Sequence, residues 1–188
     1  HIPMPELRGG PVVTIGWSGS ISTVKHLQMN VPVLAQLQAE MPGRLRIKIM
    51  GAQPVFKELT SVITLKWTAE QEVRQLNTLD IGIMPLPDDE WSRGKCALKG
   101  LSYMACGIPA VMSAVGINNK IIQHGVNGML AATDEDWYQC LRQLILDESL
   151  RKTLGERGRQ TVVDGYSVAR NAEKYFQVFE GARDEINH

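Results

Sequence analysis

The chain has no excess of charge of either sign and few aromatic residues. Its 188 residues include 20 basic and 20 acidic side chains, and aromatic residues make up 6% of the total. A protein that binds nucleic acid non-specifically needs surplus positive charge to neutralise phosphates, and this chain has none. The composition therefore excludes non-specific nucleic-acid binding, and any anion must be bound by local positive charge.

Cysteine is also scarce, and its spacing fits neither a disulfide framework nor a zinc site. The three cysteines are Cys96, Cys106 and Cys140, an odd number at irregular intervals. No apolar run approaches the roughly 20 residues that a membrane-spanning helix needs, and the opening HIPMPELRGG lacks the apolar stretch of a signal peptide. These absences predict reduced thiols and a cytoplasmic location.

The length and the apolar content limit the number of domains. With 44% hydrophobic residues, the chain has enough apolar side chains for one core, or for one core with an appended helix. We therefore predict a single domain over residues 12–165, followed by a helix within residues 166–188. Residues 1–11 resemble a linker or the cut edge of a longer chain.

Runs of β-branched residues alternate with helical patterns along the chain. The predicted strands are Val12–Trp17, Arg44–Gly51, Ser61–Trp67, Asp80–Pro85, Ala110–Ser113 and Gly128–Ala132. Strands that alternate with helices favour a parallel sheet covered on both faces. We therefore predict an α/β fold, a Rossmann-like doubly wound parallel sheet of about six strands.

Glycines punctuate the C-terminal part of the sequence. We predict that the chain is helical from Thr133, that the helix breaks near Gly155 and Gly158, and that a last helix covers about Ser167–Gly181. The reason is that glycine weakens a helix interior by about 1 kcal/mol relative to alanine.

Three loops rich in glycine or serine follow predicted strands, and in a parallel sheet such loops meet at one crevice. In the first loop, Gly19 and Ser20 offer amides and a hydroxyl to phosphate oxygens, and Lys25 adds a charge. The loop has neither a Walker A ending nor the G-x-G-x-x-G fingerprint. An ordinary strand-to-helix turn is therefore an equal alternative.

The second loop leads into a helix predicted over about Cys96–Cys106. Gly94 lets the backbone come close to a ligand, while Arg93, Lys95 and Lys99 bring positive charge to the helix start. Amides there have no intrahelical partner, and the helix dipole favours an anion. A solvated loop with surface lysines is the alternative. The third loop, Ser113–Asn119, is also small and polar and could face a ligand, but its residues favour a plain turn.

The remaining candidate groups carry weaker signals. His26 shows no metal-ligand spacing, and Cys96 has no identifiable base beside it, so we interpret Cys96 as a small packing residue. Asp88–Glu90 form either a metal site or a solvated acidic loop. Trp67 and Trp91 are predicted to lie on loops, where either can flank a nucleobase.

The segment GKCALKGLSYMACGIPAVMSAVGINNKIIQHGVNGMLA resembles the nucleotide-sugar-binding C-terminal half of a GT-B-fold retaining glycosyltransferase of family four, the glycosyl transferases group 1. Upstream, IGWSGSISTVKHL resembles the glycine loop of that family and the lysine that follows it. Downstream, DGYSVARNAEKYFQVFE resembles its final helix, which in complete enzymes crosses back to the N-terminal domain. The resemblance covers nearly the whole chain from Val12.

The resemblance implies a set of donor contacts. The residues implied at the donor diphosphate are Gly19, Ser20, Lys25, Lys95, Cys96, Ala97, Leu98 and Lys99. Ser102 and Trp67 are implied at the ribose and base, and Gly94 in the loop on the sugar side. Ser20 stands at the position of a family arginine, and Gly94 and Ser102 stand where the family has paired glutamates. A subgroup with lysines in this loop often lacks the second glutamate. No catalytic residue is identified.

The implied chemistry is transfer of a sugar from a nucleotide diphosphate donor with retention, usually without a metal, and no cofactor is expected. Lysines and helix-start amides would stabilise the negative charge that builds on the departing phosphates. The implied partners are the nucleotide sugar and an N-terminal acceptor-binding domain, without which the chain is expected to catalyse nothing. Cell-surface polysaccharide biosynthesis is the implied setting, with any membrane contact made at the inner face through that N-terminal domain.

Two other readings remain open at this point. In the first, the chain is half of a GT-B sugar-nucleotide epimerase. In the second, it is a degenerate binding domain that kept the fold and lost the chemistry. The absence of both glutamates permits the second of these.

Overall fold

The computed structural model describes residues 1–186, apart from the side chains of residues 173–175 and 181–186. The fold is built on a six-stranded parallel sheet. Its strands are β1 (Val13–Ser18), β2 (Leu45–Met50), β3 (Val62–Leu65), β4 (Ile81–Met84), β5 (Ala110–Ser113) and β6 (Met129–Ala131). They are arranged in the order β3-β2-β1-β4-β5-β6, and every neighbouring pair is parallel. The predicted Rossmann-like sheet is confirmed.

Helices lie between consecutive strands, except between β2 and β3, which a loop joins, and further helices follow β6. They are α1 (Val24–Gln28), α2 (Val31–Glu40), α3 (Ala69–Leu76), α4 (Glu90–Arg93), α5 (Leu98–Ala105), α6 (Asn118–Ile121), α7 (Asp134–Leu146), α8 (Glu148–Gly165) and α9 (Val168–Ile186). Within the described residues, no helix is both long and apolar enough to cross a membrane. The predicted C-terminal segment 166–188 is thus largely α9, and residues 187–188 lie outside the described residues.

Two apolar cores lie on the two faces of the sheet. One joins strand residues such as Ile15 and Ile47 to Leu34 of α2 and Leu144 of α7. The other joins Met84, Met112 and neighbouring strand residues to α3, α5 and α6. Because helices cover both faces, the central strands β4 and β5 are buried along their whole length. The doubly wound arrangement is therefore confirmed.

The predicted break near Gly155 and Gly158 is wrong. Both glycines lie inside the continuous helix α8, and the chain turns earlier, at Asp147, whose carboxylate accepts the Leu150 N–H at 2.8 Å. A Cβ on Gly155 would collide with the carbonyl of Gly107, and a Cβ on Gly158 would lie 2.9 Å from the carbonyl oxygen of Asn127. The glycines therefore allow α8 to pack closely against the turn after α5.

The first residues of the chain run along the sheet edge where the strands begin. The amide of Met4 donates to Asn77 Oδ1 at 2.7 Å, and Asn77 Nδ2 donates to the carbonyl of Ile2 at 2.9 Å. The guanidinium of Arg8 donates to the carbonyl oxygens of Cys106 and Gly107, each at 2.9 Å. These bonds satisfy carbonyls at the C-terminal end of α5, far from the edge where the strands end.

The close packing of α8 predicts a difference between two glycine-to-alanine substitutions. We expect Gly155→Ala to lower the free energy of unfolding by about 1–3 kcal/mol, because the added methyl collides with the Gly107 backbone. Gly165→Ala in the same helix meets open space and should be neutral or stabilising by up to about 1 kcal/mol. Urea unfolding of both variants measures the difference, and equal stabilities would contradict this account of α8.

Candidate functional site

The candidate site lies where the strand order reverses, between β1 and β4. In doubly wound sheets this switch point leaves a crevice beyond the carboxyl ends of the strands. A cavity of about 350 Å³ lies there, lined by the ends of β1 and β4, by α1 and by residues 94–99. Three larger cavities are present in the described part of the chain. Two lie beside α7 and beside Arg8, away from the strand ends, and the third lies against α4 and shares Gly94 and Lys95 with the switch-point cavity. The switch-point cavity is therefore the one that the fold favours for a ligand.

Lys99 brings a partly buried positive charge into this cavity. Its Nζ lies 4.8 Å from the centroid of the Trp17 ring and 3.4 Å from Oγ1 of Thr23. Burial, and to a lesser extent the charge of Lys95, lower the pKa of Lys99 to about 8. The indole face stabilises the ammonium group, but because the group is partly buried, water hydrates it less than it hydrates an exposed lysine. An anion beside Lys99 would restore the missing stabilisation.

Lys95 places a second ammonium group at the mouth of the cavity. Its Nζ lies 5.6 Å from the centroid of the Trp91 ring, and Trp91 is itself largely exposed. Gly94 and Cys96, on either side of Lys95, also line the cavity. Both lysines predicted for the second loop and the helix start, Lys95 and Lys99, therefore line the same cavity.

Helix α5 begins at Leu98, two residues later than predicted. Ala97 adopts a left-handed conformation with φ 56°, which turns the chain before the helix can start. The first helical hydrogen bond runs from the Leu101 N–H to the Ala97 carbonyl at 3.0 Å. The amides of residues 98–100 precede that bond, so they form the positive end of the helix beside the cavity.

Tyr103 ties α5 to the end of β1. Its hydroxyl accepts the Ser18 N–H at 2.9 Å, and its buried ring covers Gly82 of β4, where a Cβ would collide with the ring. Burial raises the pKa of this hydroxyl, so it stays protonated. Lys99 lies one helical turn before Tyr103 on the same face of α5, and its position above Trp17 follows from this attachment.

The first loop lies beside the cavity, but most of its polar groups bond within the loop. The Ser20 amide donates to Thr23 Oγ1 at 3.1 Å, and the Ser20 hydroxyl lies 2.8 Å from that of Ser22. A Cβ on Gly19 would lie 2.8 Å from Nζ of Lys99 and would overlap the Trp17 ring. Glycine at this position therefore keeps space for the lysine.

Five sequence-predicted residues lie outside the lining of the cavity, and one of them is Gly19 of the first loop. Lys25 is exposed on α1, and Ser20 is exposed in the loop before it. The Ser102 hydroxyl donates to the carbonyl of Leu98 at 3.0 Å within α5. Trp67, 46% exposed, follows β3 near Gly51. The structure thus brings Gly94 and residues 95–99 together and leaves the other five outside the cavity lining, with Gly19 and Ser20 directly beside it.

The third loop, Ser113–Asn119, packs against the second loop, which follows β4, and holds it in place. Ser113 Oγ accepts the Leu86 N–H at 2.8 Å, and the Asn118 side chain donates to the carbonyl of Ser113 at 2.9 Å. Gly116, with φ 54°, lies directly against the Arg93 backbone and leaves no room for a Cβ. These contacts agree with the plain-turn alternative, because they hold the chain beneath α4.

The acidic residues before α4 have structural partners. Asp88 forms an exposed ion pair with Arg93 at 2.7 Å, which lowers the pKa of the carboxyl. Asp89 accepts the Ser92 N–H at 2.7 Å and caps α4, a short helix that the sequence pattern did not reveal. Among the described residues, no cluster of three or more His, Cys, Asp or Glu side chains is arranged to hold a metal.

Sequence reasoning missed His26. Its side chain lies in the cavity lining and is only 6% exposed. Burial, followed by the charges of Lys95, Lys25 and Lys99, lowers the pKa of the imidazole. The available signal was its position directly before buried Leu27, within the first helix after a strand-end loop. Such a position lies at the border between the apolar core and the ligand crevice.

The chain matches one family model and a curated relative. The family described as Glycosyl transferases group 1 matches residues 12–147. The N-acetyl-alpha-D-glucosaminyl L-malate synthase of Bacillus anthracis is 26% identical over 175 residues, which cover 87% of this chain and 44% of that protein. The chain therefore spans less than half the length of this relative.

Two solved structures share the architecture. The C-terminal domain of a glycosyl transferase group 1 family protein from Francisella tularensis has a TM-score of 0.67 at 21% identity, covering 83% of this chain and 87% of that domain. HepE from Anabaena, solved in complex with UDP-glucose, has a TM-score of 0.72 at 15% identity, covering 94% and 55%. At these identities the likeness shows the fold, that of the GT-B glycosyltransferases.

The environment of Lys99 predicts an unusual titration. We expect its ammonium group to lose a proton near pH 8, because burial and Lys95 disfavour the charge. After reductive methylation with ¹³C-formaldehyde, NMR measures the titration of each lysine, and Lys99→Arg identifies the Lys99 signal. Titration of that signal only above about pH 10, the ordinary range for lysine, would contradict the burial seen here.

The same shift predicts how stability depends on pH. The pKa of Lys99 in the folded chain lies below its ordinary value of 10.5. Between pH 8 and 10.5 the unfolded chain therefore binds more protons, so the free energy of unfolding contributed by this group rises with pH. Urea unfolding should therefore show the stability of the wild type relative to Lys99→Met rising over this interval, since the other titrating groups contribute alike to both proteins.

Proposed function

The chain belongs to the glycosyl transferases group 1, and we propose that it forms the domain of a retaining glycosyltransferase that binds the nucleotide diphosphate sugar. One observation carries the proposal. Two ammonium groups and the positive end of α5 meet at a single cavity at the sheet's switch point. The complex of HepE with UDP-glucose supports a ligand of this class in the same fold.

In the proposed complex, the diphosphate lies against the start of α5. The amides of Cys96–Leu98 donate to the distal phosphate, and Lys95 and Lys99 supply positive charge on either side. Gly19, Ser20 and Lys25 approach the diphosphate from the first loop. When the bond between the sugar and the diphosphate breaks, negative charge grows on the phosphate oxygens, and these groups stabilise it. The charge is thus met without a metal or another cofactor.

The sugar and ribose ends of the donor have fewer partners. Gly94 offers no side chain on the sugar side, and the hydroxyl of Ser102 already donates to the Leu98 carbonyl. A contact of Ser102 with ribose therefore exchanges one hydrogen bond for another and contributes little net free energy. Trp67, the residue proposed to flank the base, is partly exposed and free to stack.

The rest of the reaction belongs to a longer protein. The chain spans 44% of the length of its Bacillus relative, in keeping with one half of a two-domain enzyme. The other half supplies the acceptor site in this proposal, and α9 crosses back to it. We place the full-length enzyme in the cytoplasm, in the synthesis of cell-surface polysaccharide, with any membrane contact made through the N-terminal half.

Donor binding can be tested with nucleoside diphosphates. We expect calorimetry to detect binding of at least one of UDP, GDP and ADP, and Lys99→Met to weaken it about tenfold or more, because a charged hydrogen bond is lost. The matched control is Lys152→Met, which removes an exposed lysine beside the opposite edge of the sheet. Failure of all three nucleotides to bind at millimolar concentration would overturn the proposal.

A second candidate function is favoured by the residues that stand at the two glutamate positions, Gly94 and Ser102. A domain without either glutamate fits a degenerate binding module that has lost catalysis. We expect Ser102→Glu to tighten UDP binding if the ribose site is retained, because a carboxylate accepts hydrogen bonds from ribose hydroxyls. Ser102→Gln, of similar size but neutral, is the control. Unchanged affinity in Ser102→Glu would favour the degenerate module.

A further inference from the structure

We propose that His26 is a further ligand of the donor diphosphate and that its imidazole takes up a proton as the diphosphate binds. The inference rests on the function proposed above, and it concerns a residue to which that proposal assigns no role. It starts from the position of the ring, which lies in the wall of the same cavity as Lys95 and Lys99.

The ring of His26 is buried, and no side-chain hydrogen bond joins it to another residue in the described part of the chain. Unpartnered polar atoms inside a protein are costly, and each calls for an explanation. The fully enclosed side-chain atoms that lack a partner include Arg8 Nε and Asn30 Nδ2, but neither nitrogen of His26. Both ring nitrogens therefore keep some access to solvent, and a residue that is 6% exposed and lines the cavity has that access through the cavity.

The charges that face His26 come from three parts of the chain. Lys25 lies on its own helix, Lys95 lies in the segment between α4 and α5, and Lys99 lies on α5. Asp89, before α4, is the carboxylate that opposes them. In the empty site, burial and three ammonium groups hold the imidazole neutral. A bound anion beside the same groups reverses the sign of the local field.

The ligand that fits this arrangement is a diphosphate. A neutral imidazole donates one N–H to a phosphate oxygen, whereas the protonated ring donates two and adds a positive charge. Binding near pH 7 should then draw up to one proton from the buffer, with no other change in bonding. Lys99 adds its own uptake at higher pH, around its pKa of about 8. The two contributions are separated by the pH at which they occur.

The experiment measures proton uptake by calorimetry with UDP at pH 7 in two buffers of different ionisation enthalpy. UDP carries a terminal phosphate that itself titrates near pH 6, so part of the measured proton uptake comes from the ligand. This part is the same for wild type and His26→Gln, so the difference between the two proteins reports His26. We expect the wild type to take up more protons than His26→Gln. Its affinity should also fall more steeply with rising pH, by up to about tenfold per pH unit. His124→Gln, which removes an exposed histidine, should behave as wild type.

A second measurement does not depend on the variant folding. NMR titration of the His26 ring in the wild type should give a higher pKa with UDP bound than without it. If UDP binds but neither proton uptake nor the ring titration depends on His26, this inference is wrong while the proposed function stands. If UDP, GDP and ADP all fail to bind, both are wrong.

Discussion

The site depends on the attachment of helix α5 to the end of strand β1. The Tyr103 hydroxyl accepts the Ser18 N–H, and the ring fits only because Gly82 beneath it has no side chain. Gly100, one residue after Lys99, packs in the same way against Met112. These contacts bring α5 close to the sheet and set the height of its first turn. With the helix in this position, the ammonium group of Lys99 lies between the Trp17 ring and Thr23.

This attachment concentrates positive charge where water is partly excluded. The chain is neutral overall, yet Lys25, Lys95 and Lys99 all lower the pKa of His26, and Lys95 lowers that of Lys99. Like charges held together are unfavourable in the empty domain, and the fold tolerates them because its two cores and its backbone bonds are extensive. A ligand of opposite charge removes that cost. The same electrostatic repulsion that weakens the empty site therefore strengthens its selection for an anion.

The parts of the structure that depend on chain pattern were predictable from the sequence, and those that depend on close packing were not. Alternating strands and helices predict the parallel sheet, and parallel strands place their following loops at one edge. Lys99, which follows β4, accordingly lies beside Trp17 and Thr23 at and after the end of β1. The breaks expected at Gly155 and Gly158 did not occur, because helix propensity carries no information about Gly107 and Asn127 on the neighbouring segments. Likewise, the later start of α5 follows from the left-handed turn at Ala97, a residue type that gives no such signal. His26 was overlooked because its importance comes from its burial in the cavity wall and from Lys95 and Lys99, which are distant in sequence.

The distribution of polar groups also indicates which end of the proposed donor governs affinity. Lys95, Lys99, the α5 amides and His26 lie at one cavity, whereas Ser102 directs its hydroxyl back to Leu98 and Gly94 contributes only backbone. Charged hydrogen bonds are worth about 1.5–3 kcal/mol, against about 1 kcal/mol for a neutral bond. In the proposed complex, the diphosphate therefore accounts for most of the polar binding free energy, and selectivity for the ribose is weak. Because partly exposed charges are screened by salt, such a site discriminates by charge more than by shape and loses affinity as ionic strength rises.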